Sequence, residues 1–499
     1  VGSEMCIRDR GLIYDGLMYE RIYEILKDRI ESGVLPAGTK LPSRDNLCRE
    51  FGTSAKTIRR VLSMLKENGL IETHQRKRPV VSFHQQTRRP MINLALKRVD
   101  TSITDEVLKT GVLLGYPLIE NGIALCKQED FIIPRKIVEN MDINNSAEFW
   151  RLAKQFQRFF IRRNENDLSL RVMDSLGLAE LRPLQDNLEI RTRFYEQMQE
   201  LMRVIENRGD TDSVHFDDLS GMYGLTYGSE PAFDVPVDSA AVLGRKQLEK
   251  LLLREEVRYS AVYMDLLGLI TMGRYQPGDK LPTHNELQKL YNVSVDTTLK
   301  AIQILQEWGV VKAVRSKGIF VMMDIQALKK IEMPPHLIAC HVRRYLDTLD
   351  LLALTIEGVS AYAAEHISQK EIEEAMSEIK RCWNEDHRYM LTPSFLLNLI
   401  VKHTGDGSLN AIYILLRQNL GIGRSIPALR ETEKTAEDYE LYEQCVTALN
   451  QLYAGRQEDF SNGTAKAFRY IYDYVTEKCK NLGYYDSAMA VYDGSALWK

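Results

Sequence analysis

Hydrophobic residues recur at three- and four-residue spacing over most of this chain, which is the periodicity of amphipathic helices. Leu, Ile, Met and Tyr follow this spacing throughout residues 87–208 and 324–485, with few strand-like alternations. The pattern therefore predicts that these two segments are all-helical domains.

A shorter helical pattern precedes the first of these segments. Residues 19–32 place Ile22, Leu26 and Ile30 on one face of a helix. The stretch "GVLPAGTKLPS" then interrupts the pattern. Its Pro-Ser end favours the start of a second, short helix that ends near Phe51.

A third helix is predicted to begin at Ser54, because serine is a preferred helix cap. Ile58, Leu62 and Leu65 then face the core, and Gly69 ends the helix. Two short strands, "LIET" and "PVVSF", flank the basic loop "HQRKR". Three helices followed by a hairpin predict a winged helix-turn-helix, whose third helix fits the major groove of DNA.

The same module occurs twice. When residues 19–81 (the first copy) are laid over residues 259–321 (the second copy) at an offset of 240, 17 of 63 positions are identical. Many of the shared residues are Gly, Pro, Leu and helix caps, such as Gly38/Gly278 and Ser54/Ser294. These residue types determine the backbone, so the repeat predicts a duplicated fold and need not mean a duplicated activity.

The predicted fold class is mainly α, with two winged helix-turn-helix domains, each carrying a small β-hairpin wing, alternating with two all-helical domains. The first ten residues, "VGSEMCIRDR", are expected to be a non-native or disordered leader. The predicted order is a leader at 1–10, a winged helix at 11–86, a helical domain at 87–208, a linker at 209–245, a degenerate winged helix at 246–323, a helical domain at 324–485 and a tail at 486–499.

Charge separates the two copies. Residues 19–83 carry 13 Lys and Arg against 8 Asp and Glu, a local charge of +5 in a chain whose net charge is −4. Residues 259–323 carry only 7 against 5. In the first copy, basic residues occupy both places that would meet a duplex, the third helix and the wing. The residues predicted to contact DNA there are Ser43, Arg44, Ser54, Lys56, Thr57, Arg59, Arg60, Arg76, Lys77 and Arg78. Weaker contacts are predicted in the second copy for Thr283, Ser294, Thr297, Lys300, Arg315 and Lys317.

The stretch "GVLPAGTKLPSRDNLCREFGTSAKTIRRVLSMLKENGLI" resembles the amino-terminal domain of GntR-family bacterial transcription regulators. The second copy fits the same pattern, and its "RSKGIFV" is similar to the glycine-containing wing of that family. The resemblance implies DNA binding, but the basic positions of the family differ here. Its three arginines fall on Asp45, Ala55 and Arg59 in the first copy, and on Asn285, Val295 and Leu299 in the second.

The helical segments resemble the FCD-type effector domain of that family more faintly. Such domains often bind a metal through one Asp and several His. Trp150, Tyr442 and Tyr470 stand about where histidines would be expected, and His366, His387 and His403 lack a ligand spacing. The sequence therefore predicts no metal and no other cofactor, and leaves the effector unidentified.

Several functional classes are excluded by what the sequence lacks. No apolar run approaches the roughly 18 residues of a membrane span. The seven cysteines form no C-x-x-C pair, which favours reduced thiols in a cytoplasm. No motif of a nucleotide-binding, hydrolase or metalloprotease site occurs, so the chain is predicted not to be an enzyme.

The resulting prediction is a cytoplasmic DNA-binding transcription regulator of the GntR type, assigned as a repressor. A small metabolite bound in a helical domain would control its affinity for an operator. Its partners would be double-stranded DNA and that unidentified effector. The duplicated chain could act as an intramolecular pseudo-dimer, and also as a homodimer. The alternative is a ligand-binding or protein-interaction adaptor whose winged helices no longer bind DNA.

Overall fold

The computed structural model describes residues 19, 22–23, 26–27, 30, 38–50, 54–73, 77–82, 101–176, 187–207, 256–271, 273–291, 293–328, 335–385, 389–405, 407–429 and 433–491. These residues are mainly helical, with two small antiparallel hairpins, which confirms the predicted fold class. The predicted leader, the linker at 209–245 and Arg76 lie outside them. No helix of this described set is both long and apolar enough to span a bilayer.

The elements are numbered in chain order. In the first half they are α1 (Arg44–Glu50), α2 (Ala55–Glu67), β1 (Ile71–Glu72), β2 (Val80–Val81), α3 (Thr101–Leu125), α4 (Ile132–Glu139), α5 (Ser146–Arg163), α6 (Asp167–Ser175) and α7 (Leu188–Glu206). In the second half they are α8 (Glu256–Thr271), α9 (His284–Tyr291), α10 (Val295–Glu307), β3 (Val311–Val314), β4 (Gly318–Val321), α11 (Ile325–Leu328), α12 (Pro335–Ala364), α13 (Gln369–Trp383), α14 (Thr392–Lys402), α15 (Ser408–Leu420), α16 (Ile422–Ser425), α17 (Ala436–Tyr453), α18 (Gln457–Asn481) and α19 (Tyr484–Val491). Short 3-10 turns lie at Gln128–Phe131, Tyr389–Leu391 and Pro427–Leu429.

The two winged helices share their backbone hydrogen bonds at the offset of 240. The amide of Gly38 donates to the carbonyl of Val81 at 2.7 Å, and the amide of Gly278 donates to that of Val321 at 2.8 Å. Both glycines have positive φ, +88° and +93°, a region that L side chains rarely adopt. The duplication inferred from sequence is therefore a duplication of local structure.

The first winged helix has an apolar core of its own. The described residues of its leading helix, which include Ile22, Leu26 and Ile30, pack with buried residues of α1, α2 and the hairpin. One sequence prediction was wrong in detail: Val61 of α2 is fully buried, whereas Leu62 is only partly buried. Val61 follows the fully buried Ile58 by three residues, which keeps it on the inward face of the helix.

The second winged helix, in contrast, shares one continuous core with the helical domain that follows it. Its leading helix α8 packs against α16 and contributes Tyr263 to a hydrogen bond with His341 of α12. Met264 and Leu267, both buried, stand where the first copy has Glu24 and Lys27. In the second copy, whose leading helix packs against the helical domain, the outer face of that leading helix is thus apolar.

The helices of the two halves also pack together. α3 and α6 of the first half contact α12 of the second, and α3 also contacts α15. A buried polar group lies where α6 begins. The Asn166 amide donates to the carbonyl of Asp347 and to the carboxylate of Asp350, both at 2.8 Å, and Arg343 forms a buried ion pair with Asp347.

The far end of the first helical segment has a separate aromatic core. Phe149, Trp150 and Phe194 form a cluster in which the ring centroids are 5.1 to 6.0 Å apart.

At the other end of the chain, the prediction of a tail from residue 486 was wrong for its first residues. Those residues belong to α19, which packs against α12 and buries Ala488 in the large core.

Candidate nucleic-acid interface

The first copy begins its recognition helix α2 with a well-formed cap. Ser54 Oγ accepts a hydrogen bond from the Thr57 amide at 3.2 Å and lies 2.9 Å from Thr57 Oγ1. Thr57 is only 2 % exposed. Of these two residues predicted to contact DNA, Ser54 is exposed, whereas Thr57 supports the start of the helix from inside.

Three cations project from α2 into solvent. Lys56, Arg59 and Arg60 are all exposed, as predicted from their helical spacing. Within the part of the chain that the structure describes, Lys56 and Arg59 have no hydrogen-bond or ion-pair partner. Such cations on the outward face of a recognition helix are positioned to contact phosphates or base edges.

Arg60 differs from its two neighbours because it is held by Tyr19. Its Nη2 donates to Tyr19 Oη at 2.8 Å, and its Cζ lies 3.7 Å from the centroid of the Tyr19 ring. The guanidinium therefore joins α2 to the leading helix of the domain. The sequence analysis assigns no role to Tyr19, although Tyr19 and Tyr259 are one of the identical pairs of the two copies.

The residues around α2 are divided between exposed and structural roles. Arg44 and Lys77 are exposed, and Ser43 Oγ accepts from the Asn46 amide at 3.2 Å at the start of α1. Arg78 Nε donates to the carbonyl of Leu41 at 2.8 Å, which ties the wing to the segment before α1. Arg76, the remaining predicted wing contact, lies outside the described residues.

The corresponding surface of the second copy carries a carboxylate close to its helix cap. Thr283, the counterpart of Ser43, donates from both its amide and its hydroxyl to Glu286 Oε2, at 2.7 and 2.8 Å. The hydrogen bonds from Thr283 hold the pKa of Glu286 below its ordinary value, so the carboxylate is ionised at neutral pH. A negative charge at this position opposes contact with a phosphate.

The second recognition helix, α10, has an apolar outer face. Val295 and Leu299 are 43 % and 47 % exposed, and they occupy the positions of Ala55 and Arg59. α2 contains four cations and one acid, a formal charge of +3, whereas α10 contains one cation and two acids, a formal charge of −1. The cap itself is retained, since Ser294 Oγ accepts from the Thr297 amide at 3.3 Å.

The three cations of the second copy that were predicted to contact DNA are exposed: Lys300 on α10, and Arg315 and Lys317 in its wing. The exposed residues of the recognition helix therefore differ in charge between the two copies. Only the first presents several cations along the recognition helix. This contrast could be seen in the sequence, whereas the docking of α8 behind the second surface was not predicted from it.

The docking contact contains a buried histidine. Tyr263 Oη lies 2.6 Å from His341 Nε2, and the Tyr263 ring meets Trp308 edge to face at 5.4 Å. Ser425 Oγ of α16 donates to the carbonyl of Met264 at 2.6 Å. Burial, aided by the charge of Arg344, lowers the pKa of His341 to about 3, so the imidazole is neutral at physiological pH.

The helical domains provide no metal site among the residues that the structure describes, because no three His, Cys, Asp or Glu side chains converge. Trp150 belongs to the aromatic core, and Tyr442 stacks on Trp383. His403 faces Glu371 at 3.1 Å, in an ion-pair group with Lys402.

Comparison with known proteins identifies the same two winged helices. The family model described as "Bacterial regulatory proteins, gntR family" matches residues 18–81 and 258–321, the two winged helices. A probable fructoselysine utilization operon transcriptional repressor of Escherichia coli K12 is 44 % identical over 66 residues, 13 % of this chain and 27 % of that protein. The Glc operon transcriptional activator of the same strain is 31 % identical over 24 % of this chain and 48 % of its own length.

This chain therefore spans about a quarter of the first relative and about half of the second. A solved structure titled Streptococcus agalactiae GntR covers 43 % of this chain and 99 % of its own, at 15 % identity and a TM-score of 0.20. The match to this family accordingly rests on the two segments and their winged-helix geometry. Residues 18–81 and 258–321 are therefore two tandem domains similar to those of the gntR family of bacterial regulatory proteins.

Proposed function

We propose that this chain is a transcription regulator that binds DNA through its first winged helix. The observation that carries the proposal is the exposed row of Lys56, Arg59 and Arg60 on α2, with Lys77 in the adjacent wing. Because each cation that meets a phosphate releases counterions, such a surface gives strong, salt-dependent attraction to a duplex. The relatives named above are operon regulators, which supports the same function for the whole chain.

The second winged helix serves in this proposal as a scaffold. Its recognition helix carries Val295 and Leu299 where the first copy has Ala55 and Arg59. Its leading helix packs against α16 and is hydrogen-bonded to α12 through Tyr263 and His341. The packing of α3 and α6 against α12 supports an intramolecular pseudo-dimer of the two halves. A small molecule bound in a helical domain would then alter how the first winged helix is presented to an operator.

The test is a fluorescence-anisotropy titration of the full chain with the DNA upstream of its own gene. Arg59→Ala should weaken binding by roughly 10- to 100-fold, the effect expected for the loss of a base or phosphate contact of about 1–3 kcal/mol. Lys300→Ala removes the one cation of the second recognition helix, at the position equivalent to Arg60, and should alter the dissociation constant by less than about twofold if only the first copy contacts DNA.

Two other outcomes have defined meanings. Equal losses for the two variants would make the chain a two-headed DNA binder and would overturn the scaffold role. If the wild-type chain forms no complex whose affinity falls steeply with salt, DNA binding itself is refuted, and the adaptor function described from the sequence becomes the better account.

A further inference from the structure

A cluster of four aromatic rings lies in the second helical domain, at the end of α13 and the start of α17. Trp383 is its centre. The Tyr442 ring stacks on Trp383 at 4.3 Å with an interplanar angle of 21°, while Tyr439 and Tyr389 meet Trp383 edge to face at 5.0 and 6.0 Å. We call Trp383, Tyr389, Tyr439 and Tyr442 the aromatic box.

The protein's own Lys434 fills this box. Its ammonium nitrogen lies 4.6 Å from the ring centroid of Trp383 and 5.6 Å from that of Tyr389. Since Tyr442 covers one face of Trp383, the ammonium occupies the other face. The π-electrons of both rings therefore attract the same cation.

This arrangement is unlike the other cation–aromatic contacts of the described residues, each of which involves a single ring. Lys109, for example, lies 4.0 Å from the centroid of Tyr362 alone. An exposed lysine beside one ring is a common surface contact, whereas a cation shared by two rings is held by the same attraction with which aromatic cages recognise quaternary ammonium groups.

The box is open to solvent on one side and lies in an acidic stretch of chain. Tyr439 is 52 % exposed, whereas Tyr389 is buried and forms the floor. Lys434 is followed directly by the capping box of Thr435 and Asp438, and Glu433, Glu437 and Glu440 are close in sequence. Lys434 is the only cation between residues 433 and 440, so its departure would leave the site favourable to another cation.

We infer that the aromatic box is a binding site for a small organic cation with a methylated or quaternary ammonium group, which displaces the ammonium of Lys434. Lys434 acts as an internal competitor, because the site accepts a ligand only in the fraction of molecules in which the side chain has left it. Binding would remove the contact between the segment before α17 and α13. A consequence for DNA affinity rests on the proposed function, whereas the binding site itself does not.

The experiment is calorimetric titration of the full chain with choline at constant ionic strength. Lys434→Ala removes the competitor and should bind choline at least about tenfold more tightly than the wild type, the gain expected when an occupied site becomes open. Lys434→Arg keeps a cation in the box and should behave like the wild type. Trp383→Leu introduced into Lys434→Ala should abolish the binding.

The neutral analogue 3,3-dimethylbutan-1-ol distinguishes charge recognition from apolar contact, because it replaces the ammonium nitrogen of choline by carbon. It should bind Lys434→Ala at least about tenfold more weakly than choline. The inference is overturned if Lys434→Ala, folded by circular dichroism, does not bind choline or binds the alcohol equally well. In that case Lys434 is a structural contact that joins α13 to α17.

A separate titration addresses regulation. If choline changes the affinity of Lys434→Ala for operator DNA, the box is an effector site. If choline binds and the DNA affinity is unchanged, the binding site stands and its link to DNA control is refuted. If no variant binds DNA at all, the proposed function fails and the calorimetric result is unaffected.

Discussion

Tyr263 of the second winged helix and His341 of the helical domain share a buried hydrogen bond of 2.6 Å, which joins this winged helix to the core of the chain. Neither side chain is available to solvent. The first winged helix carries Tyr23 at the equivalent position of its leading helix, but packs within a core of its own. This difference separates a docked winged helix from one that forms an independent folding unit.

The Tyr263–His341 contact should make stability depend on pH. Because the pKa of His341 is lowered to about 3 in the folded chain and is near 6.5 when unfolded, the unfolded chain binds the proton more readily. Stability is therefore complete above about pH 6.5 and falls as the pH is lowered toward 3. Between pH 7 and pH 5 we expect this group to cost about 2 kcal/mol, measured by urea denaturation. His341→Gln should lose this component of the slope, and an unchanged slope would contradict the prediction.

The two arginines of α2 should separate stability from DNA binding. Arg60→Ala removes the hydrogen bond and the ring contact with Tyr19, and we expect it to destabilise the first winged helix by about 1 kcal/mol. Arg59→Ala should leave stability within about 0.5 kcal/mol and act on DNA affinity. Thermal unfolding of both variants measures the first effect. Equal melting temperatures for the two would show that the contact with Tyr19 does not stabilise the domain.

The winged helices should behave differently as fragments. Residues 11–86 alone should unfold cooperatively, because their core is closed within the domain. Residues 246–323 alone would expose Met264 and Leu267, and we expect aggregation or binding of an apolar dye. The double change Met264→Glu/Leu267→Lys, which restores the residues of the first copy, should reduce both effects. Size-exclusion chromatography and dye fluorescence provide the measurements; a monodisperse wild-type fragment would contradict the prediction.

The buried ion pair within α12 should be sensitive to loss of one charge. Asp347→Ala leaves the buried Arg343 without its ion-pair partner, and we expect a destabilisation of about 3–5 kcal/mol. Glu200→Ala breaks the exposed pair with Arg203 and should leave the denaturation midpoint unchanged. If both variants unfold at the wild-type midpoint, the buried pair does not stabilise the fold.

Local features of this fold could be predicted from the sequence. The cap at Ser54, the break at Gly69 and the hairpin after it depend on short-range geometry, for which residue type is informative. The charge difference between α2 and α10 was also visible, since those side chains point into solvent and their identities alone determine the surface.

Long-range contacts could not be predicted in this way. Arg60 and Tyr19 are 41 residues apart, and Arg78 meets the carbonyl of Leu41 across 37 residues, so periodicity says nothing about either contact. The docking of α8 was different, because the sequence did carry a signal for it. The replacement of Glu24 and Lys27 by Met264 and Leu267 marks a helix whose outer face is covered, and it emerges when the differences between the copies are compared as well as their identities.

The hydrogen bonds shared at the offset of 240 have an evolutionary consequence. They join main-chain atoms of Gly38, Gly278 and their partners in the hairpins, so changes of exposed side chains on α2 or α10 do not disturb them. The two winged helices consequently differ at their surfaces while sharing one backbone frame. A protein engineer could exploit this tolerance: arginine at Leu299, with a small residue at Val295, would give the second winged helix the outward cation of the first while leaving its frame intact.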